Sequence, residues 1–130
     1  MKLIICLDDK NGMLFNGRRQ SRDSAVVEDV LKSTGNQKLN ILPFSQALFS
    51  VHTDRVSVVS EIGDDGTYFI ENADVLPFVN TVQEIVVYRW NRVYPSDFTC
   101  CIDFSQFQIK EQYDFAGSSH EKITKIIYSR

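Results

Sequence analysis

The sequence predicts an α/β fold, a single-domain mixed β-sheet over residues 1–130 with a few flanking helices. Three observations predict it. The apolar run Leu3 to Leu7 reads as a buried strand. One helix-period stripe follows early, and strand-like segments dominate the second half. That order suits a mixed sheet with covering helices rather than a bundle or a sandwich. A chain of 130 residues, 43% hydrophobic and 24% charged, fits one ordinary globular core.

Lys2 to Asp8 is the first strand, closed by the polar Asp8-Asp9-Lys10-Asn11-Gly12, where Asn-Gly signals a turn. Met13 to Arg22 carries no clear period and reads as an ordered loop. Ser24 to Ser33 is helical: Val26, Val27, Val30 and Leu31 form one apolar stripe, with Glu28, Asp29 and Lys32 outside it. Ser21 or Asp23 caps its start and Gly35 ends it. Lys38 to Leu42 is a short strand that Pro43 breaks, and Ser45 caps a brief helix through Phe49.

Val56 to Val59 is a strand, Gly63-Asp64-Asp65-Gly66 a turn, and Thr67 to Ile70 a strand rich in β-formers. Val75, Leu76 and Val79 suggest a short helix limited by Pro77. Glu84 to Trp90 is the clearest strand, and Cys100 to Phe104 is another. Phe107 to Tyr113 and Ile123 to Tyr128 pair as a terminal hairpin across a long connection.

The net charge of −3 is uneven: residues 1–53 carry +2, residues 54–84 carry −6 and residues 85–130 carry +1. A general nucleic-acid binder would present a basic face, so this balance argues against that partner while leaving room for a local basic pocket. Cys6, Cys100 and Cys101 are an odd set with an adjacent pair, which argues against a disulfide framework and for a reducing compartment. No segment approaches the ~20 apolar residues of a membrane span, and the start lacks a signal-peptide cleavage pattern. A cytoplasmic location is the expectation.

The order of elements resembles that of the dihydrofolate reductase family. Lys2 to Leu7 followed by Gly12-Met13 is similar to that family's first strand and the loop leading into its substrate pocket. Asp23, just ahead of the helix, is a rough match for its substrate-gripping carboxylate. Lys38 to Phe49, Thr67 to Ile70, Asp74 to Val79 and Glu84 to Trp90 follow its strand–helix order, and Phe107 to Arg130 resembles its closing hairpin. The resemblance implies a ligand pocket and, as an alternative, NADPH-dependent reduction.

Two departures bear on the cofactor. The family's phosphate-binding turn after its second strand reads Leu42-Pro43-Phe44-Ser45 here, and its Gly-Gly pair reads Glu71-Asn72. A second resemblance is to short bacterial proteins labelled "ribonuclease Z". It is carried by Asp8-Asp9…Arg18-Arg19-Gln20-Ser21…Asp23, Trp90-Asn91-Arg92…Tyr94-Pro95 and Phe115 to Lys122. That label's chemistry needs a His-x-His-x-Asp-His metal cluster; this chain has only His52 and His120, and no metal site is expected.

Three constellations could carry chemistry. Arg18, Arg19, Gln20, Ser21, Arg22 and Asp23 place three guanidiniums within five residues, suited to phosphate or carboxylate. The same loop equally describes a solvated surface whose arginines pair with Asp8, Asp9 or Glu28. Asp23 is a candidate proton donor or heterocycle anchor, and equally a bare helix cap. Arg89, Trp90, Asn91, Arg92 and Tyr94 set a Trp between two arginines that could stack on a ring and reach a phosphate, or be a strand end with a core Trp and exposed arginines. Ser118, Ser119 and His120 could form an anion-binding turn or an acid/base site, although Ser118 and Glu121 also fit a capping box and no acid partner for a Ser-His pair is visible in the sequence.

The expected function is binding of a small anionic ligand, a nucleotide or another anionic heterocycle. NADPH-dependent reduction and a non-catalytic protein-interaction role are the alternatives, the latter using the acidic 54–84 stretch. Whether any bond is made or broken stays open.

Overall fold

A computed structural model describes residues 1–130. Its centre is β1 (Lys2–Leu7), flanked in parallel by β7 (Glu84–Arg89) and β6 (Thr67–Phe69). These strands have both faces covered, which is why they read as nearly unbroken apolar runs. Outside β6 lie β4 (Leu39–Ile41) and then β5 (Val56–Val58), also parallel. On the other side β10 (Ile123–Ser129) runs antiparallel to β7 and pairs with β9 (Gln108–Phe115) as the terminal hairpin. The seven-stranded order is β5-β4-β6-β1-β7-β10-β9, a mixed sheet as the sequence suggests.

Alternation along the strands divides the core in two. Leu3, Ile5 and Leu7 join Ile85, Val87 and Tyr128 on one face. Ile4, Val86, Tyr88 and Trp90 pack on the other against the apolar stripe of α1 (Ser24–Lys32) and against Leu48 and Phe49. Asp23 caps α1, accepting a hydrogen bond from the Ala25 amide. No helix is long and apolar enough to cross a membrane.

Four expectations need correction. Met13 to Arg22, expected as an ordered loop, contains paired strands. β2 (Gly12–Phe15) and β3 (Arg18–Arg19) form a tight hairpin around Asn16-Gly17, whose φ angles of 54° and 70° suit the two-residue turn that right-twisted strands need. Cys100 to Phe104 is not a strand; only β8 (Phe98–Thr99) pairs, with β2, before the chain turns through Phe104–Gln106. Pro43–Phe49 and Leu76–Thr81 are 3₁₀ segments rather than helices, and Ser45 caps nothing. No helix follows Ser118, so its spacing to Glu121 is no capping box; β10 begins at Ile123.

Candidate functional site

The parallel strands β1, β4, β6 and β7 end on one edge of the sheet, where ligand crevices of open α/β folds lie. The β2–β3 hairpin and the segments 20–23, 90–95 and 117–120 gather over this edge. Three buried carboxylates lie along it. Asp8, at the end of β1, accepts from the Lys10, Gly12 and Tyr94 amides and from the Gln20 side chain; the other two organise the site.

The first is Asp23, 3% exposed. Its Oδ1 accepts from the Ala25 and Ser118 amides and the Ser118 hydroxyl, each at 2.9 Å. Its Oδ2 accepts from the Ser119 amide and the His120 Nδ1–H at 2.9 Å, and from the Ser119 hydroxyl at 3.2 Å. Gly117 makes this approach possible, since a Cβ there would collide with the carboxylate and the His120 carbonyl. Burial alone would raise the Asp23 carboxyl, but the donors from Ser118, Ser119 and His120 outweigh it and hold the group well below the usual carboxylate range.

His120 continues the chain. Its Nε2 lies 2.8 Å from Ser21 Oγ and 3.2 Å from the Tyr94 hydroxyl, and its ring stacks on Trp90 at 4.7 Å. The acid partner absent from the local sequence is therefore Asp23, 97 residues upstream of His120. With six donors around it, Asp23 has nothing left to grip a heterocycle, so that expected role is corrected. Trp90 is likewise spoken for: it is 5% exposed against His120 and is not an open stacking platform.

The second carboxylate is Glu71, 9% exposed, at the end of β6. Arg19 Nε and NH2 donate to it at 2.7 and 2.8 Å, and the Ser45 hydroxyl donates at 2.7 Å. The Arg19 guanidinium also lies over the Phe44 ring at 5.2 Å. Arginine pairing with Asp8, Asp9 or Glu28 is thus replaced by a partner 52 residues away. The Glu71 contact holds the Arg19 guanidinium above its ordinary range against the opposing effect of burial.

The twelve candidate residues are divided between two spaces, the shell behind one of them, and a pair that borders neither. Arg18, Arg19 and Gln20 line an open cleft of about 430 Å³ together with Phe15, Tyr94 and Pro95. Arg18 is exposed and makes no ion pair, while the Gln20 amide nitrogen donates to Asp8 and to the Pro95 carbonyl. Gln20 Oε1 is buried without a partner. Ser21, Arg22, Asp23 and Trp90 border a separate, narrow cavity of about 20 Å³ between α1 and the sheet. Ser118, Ser119 and His120 sit behind that cavity as partners of Asp23, and Asn91 and Arg92 border neither space. The Asn91 amide donates instead to the Lys122 carbonyl and Thr124. Phe15 escaped the sequence reading as a site residue, although Asn16-Gly17 was the signal that would have placed it on a hairpin; Glu71 was read only as a departure from the family's Gly-Gly pair, with no sign of its pairing with Arg19.

No family model and no curated protein sequence matches the chain. The architecture is a dihydrofolate reductase-like fold, with β1 central, α1 on one face and an antiparallel closing hairpin. The chain is similar in structure to a solved dihydrofolate reductase from Enterococcus faecalis complexed with NADP(H) and RAB-propyl. The match has a TM-score of 0.71 at 12% identity and covers 100% of this chain and 96% of that one. The likeness is one of fold.

Proposed function

We propose that the chain binds a small anionic ligand, a nucleotide or another anionic heterocycle, in the cleft between the β2–β3 hairpin and Tyr94-Pro95. The observation that carries this reading is the 430 Å³ cleft itself, which offers the unpaired Arg18 guanidinium beside the edges of Phe15 and Tyr94.

NADPH-dependent reduction is the other reading that the fold invites, and the residues do not fit it. Where a pyrophosphate would need bare backbone, Glu71 presents a carboxylate locked by Arg19 and Ser45. The segments after β4 and β6 are short 3₁₀ turns, which offer little aligned dipole to a phosphate. The protein-interaction reading expects filled surroundings around Asp23 and both Arg18 and Arg19 splayed into solvent; the surroundings are filled and Arg18 is exposed, but Arg19 is held by Glu71.

A thermal-shift series with inorganic phosphate, AMP, GMP and a pterin tests the proposal, repeated on Arg18→Ala. A ligand at 100 times its Kd adds about 2.7 kcal/mol, several degrees in the midpoint of a domain this size. A shift lost in Arg18→Ala supports the cleft. No shift with any of the four removes the proposal in favour of a protein partner.

A further inference from the structure

The Asp23–His120 pair carries more than a lock between two loops requires. An ionised carboxylate only accepts, so the His120 proton facing Asp23 sits on Nδ1 and the Nε2 lone pair faces outward. One hydroxyl would satisfy that lone pair, yet two converge on it: Ser21 at 2.8 Å and Tyr94 at 3.2 Å. Stacking on Trp90 and a side-chain exposure of 5% keep the ring from turning away.

Ser21 also borders space for a reacting group. The cavity of about 20 Å³ beside it is walled by Cys6, Val30, Phe49, Phe69 and Trp90, room for a group of methyl size. Arg22, Asp23, Val27 and Leu48 line both this cavity and a surface groove of about 340 Å³ that continues past Val51. A small apolar acyl group fits the inner space and a larger alcohol portion the groove. Cys6, the other nucleophile on this wall, is held as a thiol by burial and by the neighbouring Glu71 charge.

We propose that Ser21, His120 and Asp23 form a nucleophilic relay that hydrolyses esters of short apolar acids, independently of anion binding in the outer cleft. Ser21 Oγ attacks the ester carbonyl carbon and its proton passes to His120 Nε2. The carbonyl electron pair moves onto oxygen, where the Tyr94 hydroxyl, 3.4 Å from Ser21 Oγ, donates a hydrogen bond. Collapse breaks the bond to the alcohol oxygen, which leaves with the proton from Nε2. Water then attacks the acyl-Ser21 ester by the same route, so one ester and one water give one acid and one alcohol. Asp23 positions the ring and does not itself change protonation.

The test uses the full chain with p-nitrophenyl acetate, p-nitrophenyl butyrate and methanesulfonyl fluoride, whose methyl group fits the inner space. The expected results are one sulfonyl adduct, mapped to Ser21 by mass spectrometry, and acetate hydrolysis that Ser21→Ala reduces by roughly 10³-fold or more. Tyr94→Phe is expected to lower kcat roughly 10²-fold with KM little changed, and butyrate to react more slowly than acetate. A wild type without an adduct, or a folded Ser21→Ala that hydrolyses acetate at the wild-type rate, overturns the proposal. If Ser21→Ala does not fold, Ser21→Cys decides: chloroacetamide should alkylate position 21 faster than the exposed Cys101, and equal or slower alkylation overturns the relay. Phosphate-induced thermal shifts retained in Ser21→Ala separate failure here from failure of the anion-binding reading.

Discussion

Two of the three buried carboxylates on the ligand edge, Glu71 and Asp23, solve one electrostatic problem in opposite ways. Glu71 is neutralised by a single long side chain, the bidentate Arg19, with Ser45 as a third donor. Asp23 faces no Lys or Arg at all; main-chain amides, two hydroxyls and one imidazole surround it. The cation laid across Glu71 ties β3 to the end of β6, where Ser45 of the Pro43–Phe49 segment also meets the carboxylate. Dipoles gathered around Asp23 leave one ring nitrogen directed elsewhere, at Ser21. A buried charge met by a counter-charge becomes a plug, whereas one met by dipoles can hand its influence onward.

The strongest way to break this contrast is Asp23→Ala. It strands the Ser118 and Ser119 amides and the His120 Nδ1–H and removes the α1 cap, so about 3–5 kcal/mol should be lost in urea unfolding. The same carboxyl gives an acid signature. Its folded pKa lies below its unfolded value of about 3.9, so its contribution is complete above that pH and is lost as pH falls toward the folded value. Asp23→Asn should flatten the fall in stability below about pH 4. A loss under about 1 kcal/mol in Asp23→Ala would make the dipole cage ornamental.

Arg19→Ala sharpens the other side and should cost less, about 2 kcal/mol, because the pair is only partly buried, at 20% and 10% side-chain exposure. Glu71 then keeps Ser45 alone. Arg19→Ala combined with Glu71→Gln should recover part of the loss, a coupling that urea melts of the four proteins would measure. Strictly additive costs would mean that Arg19 acts by packing on Phe44 and not as a counter-charge.

How much of this was legible in the sequence follows from how local each determinant is. β1, β7 and α1 announce themselves because their apolar periods of two and 3.6 are written in consecutive residues. The cap role of Asp23 was readable for the same reason. The β2–β3 hairpin was missed because strands of four and two residues are too short to show a period, although Asn16-Gly17 marked its turn. Ser21 and His120 lie 99 residues apart and Arg19 and Glu71 lie 52 apart, so no spacing rule could join them. The sheet brings these pairs together by ending β1, β6 and β7 on one edge.

The smallest test separates main chain from side chain within the Asp23 cage. Ser118 contributes both its amide and its hydroxyl to Oδ1, and the hydroxyl also accepts from the Ser24 amide and hydroxyl. Ser118 is exposed, so water replaces what Ser118→Ala removes from Ser24 while the Ser118 amide stays bonded. A loss of about 0.5 kcal/mol is expected. Next door, Gly117→Ala leaves every donor in place but drives a Cβ into the Asp23 carboxylate and the His120 carbonyl, and about 1–3 kcal/mol should follow. If thermal melts rank Ser118→Ala as the costlier change, hydroxyls rather than the backbone path through Gly117 hold Asp23. The cage would then be a side-chain device like the Arg19 plug, and the contrast between the two carboxylates would collapse.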